Sequence, residues 1–262
     1  MLNFELNSKL KIQHATLSSH RFGRWLDWLY PPRCRFCREA TRRSYDCFCA
    51  ACLEEIRVID CPICTICGRP FLDTRGDDHL CGGCIARPPR FARARSWACY
   101  STDEGTDDPL RSILQRFKYG RKVSLGKPLG RLLAENSRGL FAAVSIDVIV
   151  PVPLHRKRLR WRGFNQSVVL AHEVGREWGI PVDAFVLARS RETPPQTQLH
   201  EDERRKNMRR AFAVNPRRSV EDQSVLLIDD VYTSGATVDE CSRALVRGGA
   251  REVSVLTLAR TV

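Results

Sequence analysis

Between Cys34 and Cys84 the chain carries four C-x-x-C pairs, and no other feature limits its folding so tightly. Cys34 and Cys37 are followed after eleven residues by Cys49 and Cys52; Cys64 and Cys67 are followed after thirteen by Cys81 and Cys84. A two-residue gap lets both thiolates of a knuckle face one ion, and two knuckles complete a tetrahedral shell. Two such shells in series predict a double zinc ribbon holding two Zn2+ ions. Neither shell leaves an open coordination position, so the ions staple the fold rather than catalyse. A redox C-x-x-C would stand alone beside a βαβ unit, and these do not. Cys47 and Cys61 are spare thiols. Cys61 also has C-x-x-C spacing to Cys64, but Gly68 gives Cys67 the turn residue a knuckle needs, which favours Cys64 with Cys67. His79 reads as an exposed histidine rather than a ligand. Spacing alone leaves open whether the ribbons bind nucleic acid or dock a protein.

Metal rather than disulfide chemistry assumes a reducing compartment. No apolar run approaches the ~20 residues of a membrane span. Glu5, Lys9, Lys11 and His14 interrupt any signal-peptide core. The expectation is a cytoplasmic protein with no stable membrane insertion. With 43% hydrophobic and 28% charged residues among 262, a packed core follows rather than disorder. The formal charge of +13 favours anionic partners: nucleic acid, polyphosphate or an acidic protein. Phe22, Trp25, Leu26 and Leu29 make an apolar stripe that Tyr30-Pro31-Pro32 stops, so residues 1–30 read as an N-terminal amphipathic helix. Its polar face is not strongly basic, which favours packing on the next domain over a membrane surface. Residues 31–90 then form the ribbons, and 91–262 a second domain.

In that second domain, strands alternate with helices. Ala94–Ser101, Ile146–Val152, Val225–Ile228 and Val253–Leu258 read as strands. Leu110, Ile113, Leu114 and Phe117 mark one helix face, and Leu129, Leu132 and Leu133 another. Phe164, Val168, Ala171 and Trp178 mark a third, stopped by Gly179; Val238, Cys241, Leu245 and Gly248 mark a fourth. The pattern predicts an α/β fold with a parallel sheet and helices on both faces. Ligands of such sheets sit at the carboxyl ends of the strands. There the sequence places Asp229 and Asp230, then the small, hydroxylated turn Thr233-Ser234-Gly235-Ala236-Thr237 at a helix start. Backbone N–H groups and the helix dipole at such a turn face a phosphate, and the carboxylates reach ribose hydroxyls. Val225–Thr237 as a whole resembles the phosphoribosyl-pyrophosphate (PRPP) loop of type I phosphoribosyltransferases. Beyond another strand, His155, Arg156, Lys157 and Arg158 supply cations for a pyrophosphate, normally accompanied by Mg2+. Thr193–Leu199 reads as a mobile loop leading to Arg204, Arg205, Lys206, Arg209 and Arg210.

Taken together, these segments resemble the ComF family over nearly the whole chain. The resemblance rests on Pro31-Pro32-Arg33-Cys34, the paired ribbons, Phe117-Lys118-Tyr119-Gly120 and Val150-Pro151-Val152-Pro153-Leu154. It rests also on Arg162-Gly163-Phe164-Asn165-Gln166, Pro195-Gln196-Thr197, Arg204-Arg205-Lys206-Asn207, Ala211-Phe212 and the PRPP loop. It implies a type I phosphoribosyltransferase fold behind a zinc-binding module, and a role in DNA uptake during natural transformation. Ser234 for a second Thr, Gln198 for a small residue, and the additional Cys61 depart from the pattern without removing a group the phosphate site needs.

Two functions fit these residues. In a transferase, Asp229 and Asp230 hold the ribose hydroxyls, Thr233 to Thr237 the 5′-phosphate, and Arg156 to Arg158 with Mg2+ the leaving pyrophosphate. No acceptor-base pocket is readable in the sequence. In a DNA-handling protein, PRPP or a related sugar phosphate is a ligand. The clusters Arg156–Arg162 and Arg204–Arg210, with Trp161 and Phe164 interleaved, then follow a single-stranded backbone. The family's biology favours the second, with a helicase or recombination protein of the uptake machinery as a further partner. Cys99 and Cys241 read as core thiols.

Overall fold

The computed structural model describes residues 32–41, 47–60, 62–73, 75–102, 107–190, 208 and 210–262. The expected helix over 1–30, Cys61, the loop Thr193–Leu199 and the cations Arg204, Arg205, Lys206 and Arg209 lie outside these residues.

In the cysteine region a short helix α1 (Ala50–Glu54) leads into strand β1 (Arg57–Val58), and a second short helix, α2 (Gly82–Ala86), follows. Strand β2 (Arg93–Tyr100), helix α3 (Pro109–Lys118), helix α4 (Gly126–Ser137) and strand β3 (Val148–Pro151) come next. After them come α5 (Arg156–Arg162), α6 (Gln166–Trp178), β4 (Leu187–Arg189) and β5 (Phe212–Val214). The chain closes with β6 (Ser224–Tyr232), α7 (Ala236–Arg247) and β7 (Glu252–Thr261).

Local signals set the helix ends. Asp108 accepts from the Arg111 N–H at 2.9 Å, and Pro109 opens α3, where a missing N–H costs nothing. Asn165 caps α6 in the same way through Ser167, and Gly179 ends it in a left-handed conformation. Phe164 therefore lies before the helix whose face it shares, in the sequence pattern, with Val168 and Trp178.

The main sheet has the order β1-β2-β7-β6-β3, and all its pairings are parallel except β1 with β2. Parallel strands covered on both faces read as continuous apolar runs, and side chains alternate between the faces. Ile149, Leu226, Ile228, Leu256 and Leu258 accordingly pack beneath α3, α4 and α6, against Ile113, Phe117, Leu133 and Leu170. Val150, Val225, Leu227, Val253 and Val255 face the other way, against Val238, Cys241 and Leu245 of α7. Cys241 is fully buried, as expected of a core thiol, whereas Cys99 is half-buried.

The two cysteine quartets divide between these faces. Cys34, Cys49 and Cys52 join the core of α3, while Cys64, Cys67, Cys81 and Cys84 join that of α7. Between them β1 completes the sheet edge, which the sequence pattern did not show. β4 and β5 form a separate antiparallel pair. Among the described residues no helix is long and apolar enough to cross a membrane.

Candidate functional site

The acidic pair stands where the ladder loses a strand. β3 ends at Pro151 opposite Ile228, since Pro151 and Pro153 offer no N–H to continue it. β6 and β7 stay paired beyond that point, through Val231 with Ala259 and Tyr232 with Arg260. Asp229 and Asp230 thus lie within β6 rather than beyond its end, on an edge freed for ligand. Ser167 Oγ donates to Asp229 Oδ1 at 2.9 Å, and the Asp230 N–H donates to the same oxygen at 2.9 Å. The Lys118 ammonium lies 3.0 Å from Asp230 Oδ1. Burial, then the charge of Asp230, pushes Asp229 up to about 7, although the Asp230 N–H, Lys118 and Ser167 pull the other way. Burial works against the charge on Lys118, but Asp230, Tyr100 and Asp229 outweigh it and raise its pKa.

The turn after β6 follows directly. Gly235 caps α7 at φ 75°, a left-handed conformation open to glycine, and a Cβ there would overlap the Tyr232 hydroxyl. Thr233 and Thr237 line a cleft of about 870 Å³ together with Asp229 and Asp230. Ser234 is half-buried, with Oγ 3.5 Å from the Ala236 N–H, while Gly235 and Ala236 are buried.

Of the four cations expected to hold pyrophosphate, the cleft takes one. Arg158 lines it; His155, Arg156 and Lys157 do not. The reason is conformational, because the segment forms helix α5 and its side chains spread around the axis. His155 accepts the Lys157 N–H at 3.4 Å as the cap of that helix, Arg156 is exposed and Lys157 lies outside the cleft lining. In their place the cleft gains Arg162, one turn beyond Arg158, and Arg189 from β4. Burial and then, for Arg189, the like charge of Arg158 lower the pKa of both guanidinium groups. Gln166 is 1% exposed, and its amide nitrogen, like Arg162 Nε, has no hydrogen-bond partner among the described residues. Buried donors of this kind are normally paired, so they mark places for an acceptor-rich ligand.

An aromatic pair, absent from the sequence reading as a pair, stands at the same cleft. Tyr119 and Trp161 are 57% and 53% exposed, their centroids 6.3 Å apart. Arg162 lies over Tyr119 and Arg121 over Trp161. Phe164, expected to interleave with the cations, instead packs on Phe117 at 5.4 Å against the core.

Lys118, Ser167 and Arg189 have no role in the sequence reading. For Lys118 a signal existed: it continues the i, i+4 line of Leu110 and Leu114, so a cation falls on a core stripe. Ser167 and Arg189 carry no comparable mark.

Both cysteine shells assemble as the spacing requires. In each quartet the four sulfurs lie within 4.8 Å of one another. Burial opposes the thiolates, but the N–H groups of Cys49, Phe36 and Cys37 bring Cys34 down to about 7, and those of Cys81, Cys67 and Ile66 bring Cys64 to about 6. Burial raises Cys52, Cys67 and Cys84, a cost that the charge of a Zn2+ ion would offset, and four sulfurs gathered so closely fit that ion. His79 stays outside the quartet, stacked on Phe71 at 3.8 Å.

Two four-cysteine shells beside a parallel sheet with an acidic pair and a glycine-capped turn define a double zinc ribbon joined to a type I phosphoribosyltransferase fold. Matches to family models agree: a double zinc ribbon domain over residues 25–85 and a phosphoribosyl transferase domain over 164–261. The chain is 32% identical over 239 residues to the DNA utilization protein YhgH of Escherichia coli K12, covering 88% of this chain and 98% of the relative. It is 29% identical to competence protein F of Haemophilus influenzae, with 87% and 96% covered, and 27% identical to competence protein ComFC of Bacillus subtilis, with 81% and 84% covered. The chain belongs to the ComF family.

Proposed function

We propose that this protein binds PRPP or a related sugar phosphate in the cleft and handles internalised single-stranded DNA at its mouth during natural transformation. The observation that carries this reading is the convergence of acid pair, phosphate turn, cations and exposed aromatics on one cleft. Asp229 and Asp230 receive the ribose hydroxyls, and Thr233, Ser234, Gly235, Ala236 and Thr237 the 5′-phosphate. Arg158, Arg162 and Arg189 face the diphosphate. Lys118 already engages Asp230, so Mg2+ would reach the site on the diphosphate, whose charge it offsets. Arg156 and Lys157, on the part of α5 away from the cleft, and the base-stacking faces of Trp161 and Tyr119 suit a strand passing the mouth. His155 holds the start of that helix. The names of the relatives, DNA utilization and competence proteins, support this setting. The cytoplasm is its place, and a helicase or recombination protein a partner.

Calorimetric titration with PRPP tests the first half: binding is expected, and Asp229→Asn with Asp230→Asn abolishes it. Single-strand titration over a salt series tests the second. Affinity falls steeply with salt, and removing the charges of Arg156 and Lys157 flattens the slope. An absent or salt-independent interaction overturns it. Trp161→Ala is expected to cost about 1–3 kcal/mol of strand binding and to leave PRPP affinity unchanged.

The pKa of Asp229 favours a second reading, an active phosphoribosyltransferase with a nitrogen acceptor. A carboxylate held near 7 accepts a proton at neutral pH as the nucleophile attacks. Pyrophosphate released from PRPP in the presence of one nucleobase, and lost in the Asp229→Asn variant, would establish it.

A further inference from the structure

The Cys64–Cys67 knuckle, the first of the second shell, is bound to the sheet by three consecutive carbonyls. Thr65 O accepts from Arg95 at 3.2 Å, Ile66 O from the Ala94 N–H at 2.6 Å, and Cys67 O from Arg260 at 2.7 Å. The third contact reaches the cleft. Arg260 stands opposite Tyr232 in the β6–β7 ladder, and its guanidinium lies 4.6 Å above the Tyr232 ring. The hydroxyl of that ring occupies the space where a Cβ of Gly235 would be, against the residue that caps α7. Phe91 meets the Tyr232 ring in a T-shaped contact at 6.4 Å. One residue earlier, the Arg90 N–H donates to Asp239 in the first turn of α7 at 2.7 Å. Arg260 is 5% exposed, and a guanidinium so buried needs compensation. A tetrathiolate around a divalent cation carries net negative charge, and Arg260 meets the shell through its bond to the Cys67 carbonyl.

We propose that Arg260 and Tyr232 are positioning residues that tie the phosphate turn to the Cys64–Cys67 knuckle. Zn2+ at Cys64, Cys67, Cys81 and Cys84 and a phosphate at Thr233–Thr237 then stabilise one another. The proposal rests on the reading that this turn holds the 5′-phosphate. Metal binding fixes the knuckle, since a preformed shell does not persist without it. The fixed Cys67 carbonyl and the shell's charge hold Arg260 flat over Tyr232. Tyr232 in turn seats Gly235 in the conformation that aims the turn's N–H groups. Linkage makes the effect reciprocal: whatever factor Zn2+ adds to phosphate affinity, phosphate adds to Zn2+ affinity.

The test uses the full-length zinc-loaded protein and ribose 5-phosphate as probe. Two measurements are made: affinity by calorimetry, and the rate of zinc transfer to a chromophoric chelator. Saturating ribose 5-phosphate is expected to slow release of one of the two zinc ions by about tenfold, within the usual range of coupling between sites. Arg260→Gln is expected to weaken ribose 5-phosphate by a similar factor, to spare inorganic pyrophosphate, and to abolish the slowing. Tyr232→Phe keeps the ring beneath Arg260 and the zinc content at two, so a loss of coupling there is not a folding defect. Failure of the wild-type protein to bind ribose 5-phosphate overturns the phosphate-site reading itself. Binding with zinc release unchanged, or unchanged coupling in both variants, leaves that reading standing and overturns the relay.

Discussion

Lys118→Met isolates the electrostatic centre of the cleft. The substitution keeps most of the aliphatic stem and removes the ammonium 3.0 Å from Asp230. Two carboxylates on adjacent residues of β6 then face each other without their nearest counter-charge. Removing one partner of a buried ion pair costs about 3–5 kcal/mol because the other charge remains buried. The Asp230 side chain is 11% exposed and that of Lys118 21%, which places the expected loss nearer to about 2–3 kcal/mol. For a chain of this size that lowers the melting temperature by roughly 4–12 °C. The loss depends on pH in a defined direction. Asp229, already at about 7, rises further without Lys118. A carboxyl whose folded pKa is raised stabilises the fold below its ordinary pKa, and that contribution disappears as pH rises through the raised value. The share of the deficit that comes from Asp229 should therefore be absent at about pH 5 and full at about pH 9, so the gap to wild type widens with pH, as read by calorimetric melting across that range. Adding Asp230→Asn removes the orphaned charge and is expected to restore most of the stability. A melting temperature equal to wild type at the alkaline end, or a double variant no better than the single one, would refute the reasoning.

Further consequences concern the turn, the acid pair and the metal shells. Gly235→Ala puts a side chain at φ 75° and against the Tyr232 hydroxyl. At about 1–3 kcal/mol of strain, calorimetry should show ribose 5-phosphate affinity falling about 5- to 150-fold, and adding Tyr232→Phe should recover part of it. Asp229 carries its proton up to about 7, so stability should decline as pH rises from its ordinary 3.8 through 7, and Asp229→Asn should flatten that melting profile. Ribose binding should move the opposite way over the same range, strengthening as the ionised carboxylate becomes available to accept hydroxyl protons. Cys52→Ser and Cys84→Ser should each lose one equivalent of zinc by elemental analysis, each from a different shell.

Local signals made much of this molecule legible. Cysteine spacing announces both shells because a metal site depends on a few residues close in sequence. The apolar runs of β3, β6 and β7 are visible because buried parallel strands need no partner-specific pattern. What could not be read depends on partners distant in sequence. The acidic pair interrupts an apolar run, so the pattern ends the strand at Ile228; pairing with the longer β7 carries it to Tyr232. The basic segment after β3 reads as strand-end cations for a pyrophosphate, whereas as α5 it sends Arg158 and Arg162 to the cleft and others to solvent. Tyr119 and Trp161 belong to separate segments, and only the fold places them together.

The positions of the shells bear on why zinc ribbons accompany this cleft at all. A tethered module would leave the cleft indifferent to the metal. Here the first quartet shares a core with Leu110, Leu114 and Phe117 of α3, and Arg116 donates to the Arg35 carbonyl beside its first knuckle. The next residues of that helix carry Lys118 to Asp230. On the opposite face the second quartet shares a core with Tyr232, Ala236 and Val238, and holds Arg260. One shell therefore backs the helix that brings the ammonium to the acid pair, and the other backs the strand end that carries the glycine-capped turn. With β1 between them as the sheet's edge strand, the ribbons brace both walls of the cleft. Small stapled folds are stiff because metal replaces the core they are too small to build. Stiffness of that kind suits a site whose carboxylate, ammonium and glycine turn must keep their spacing while a charged ligand enters and leaves.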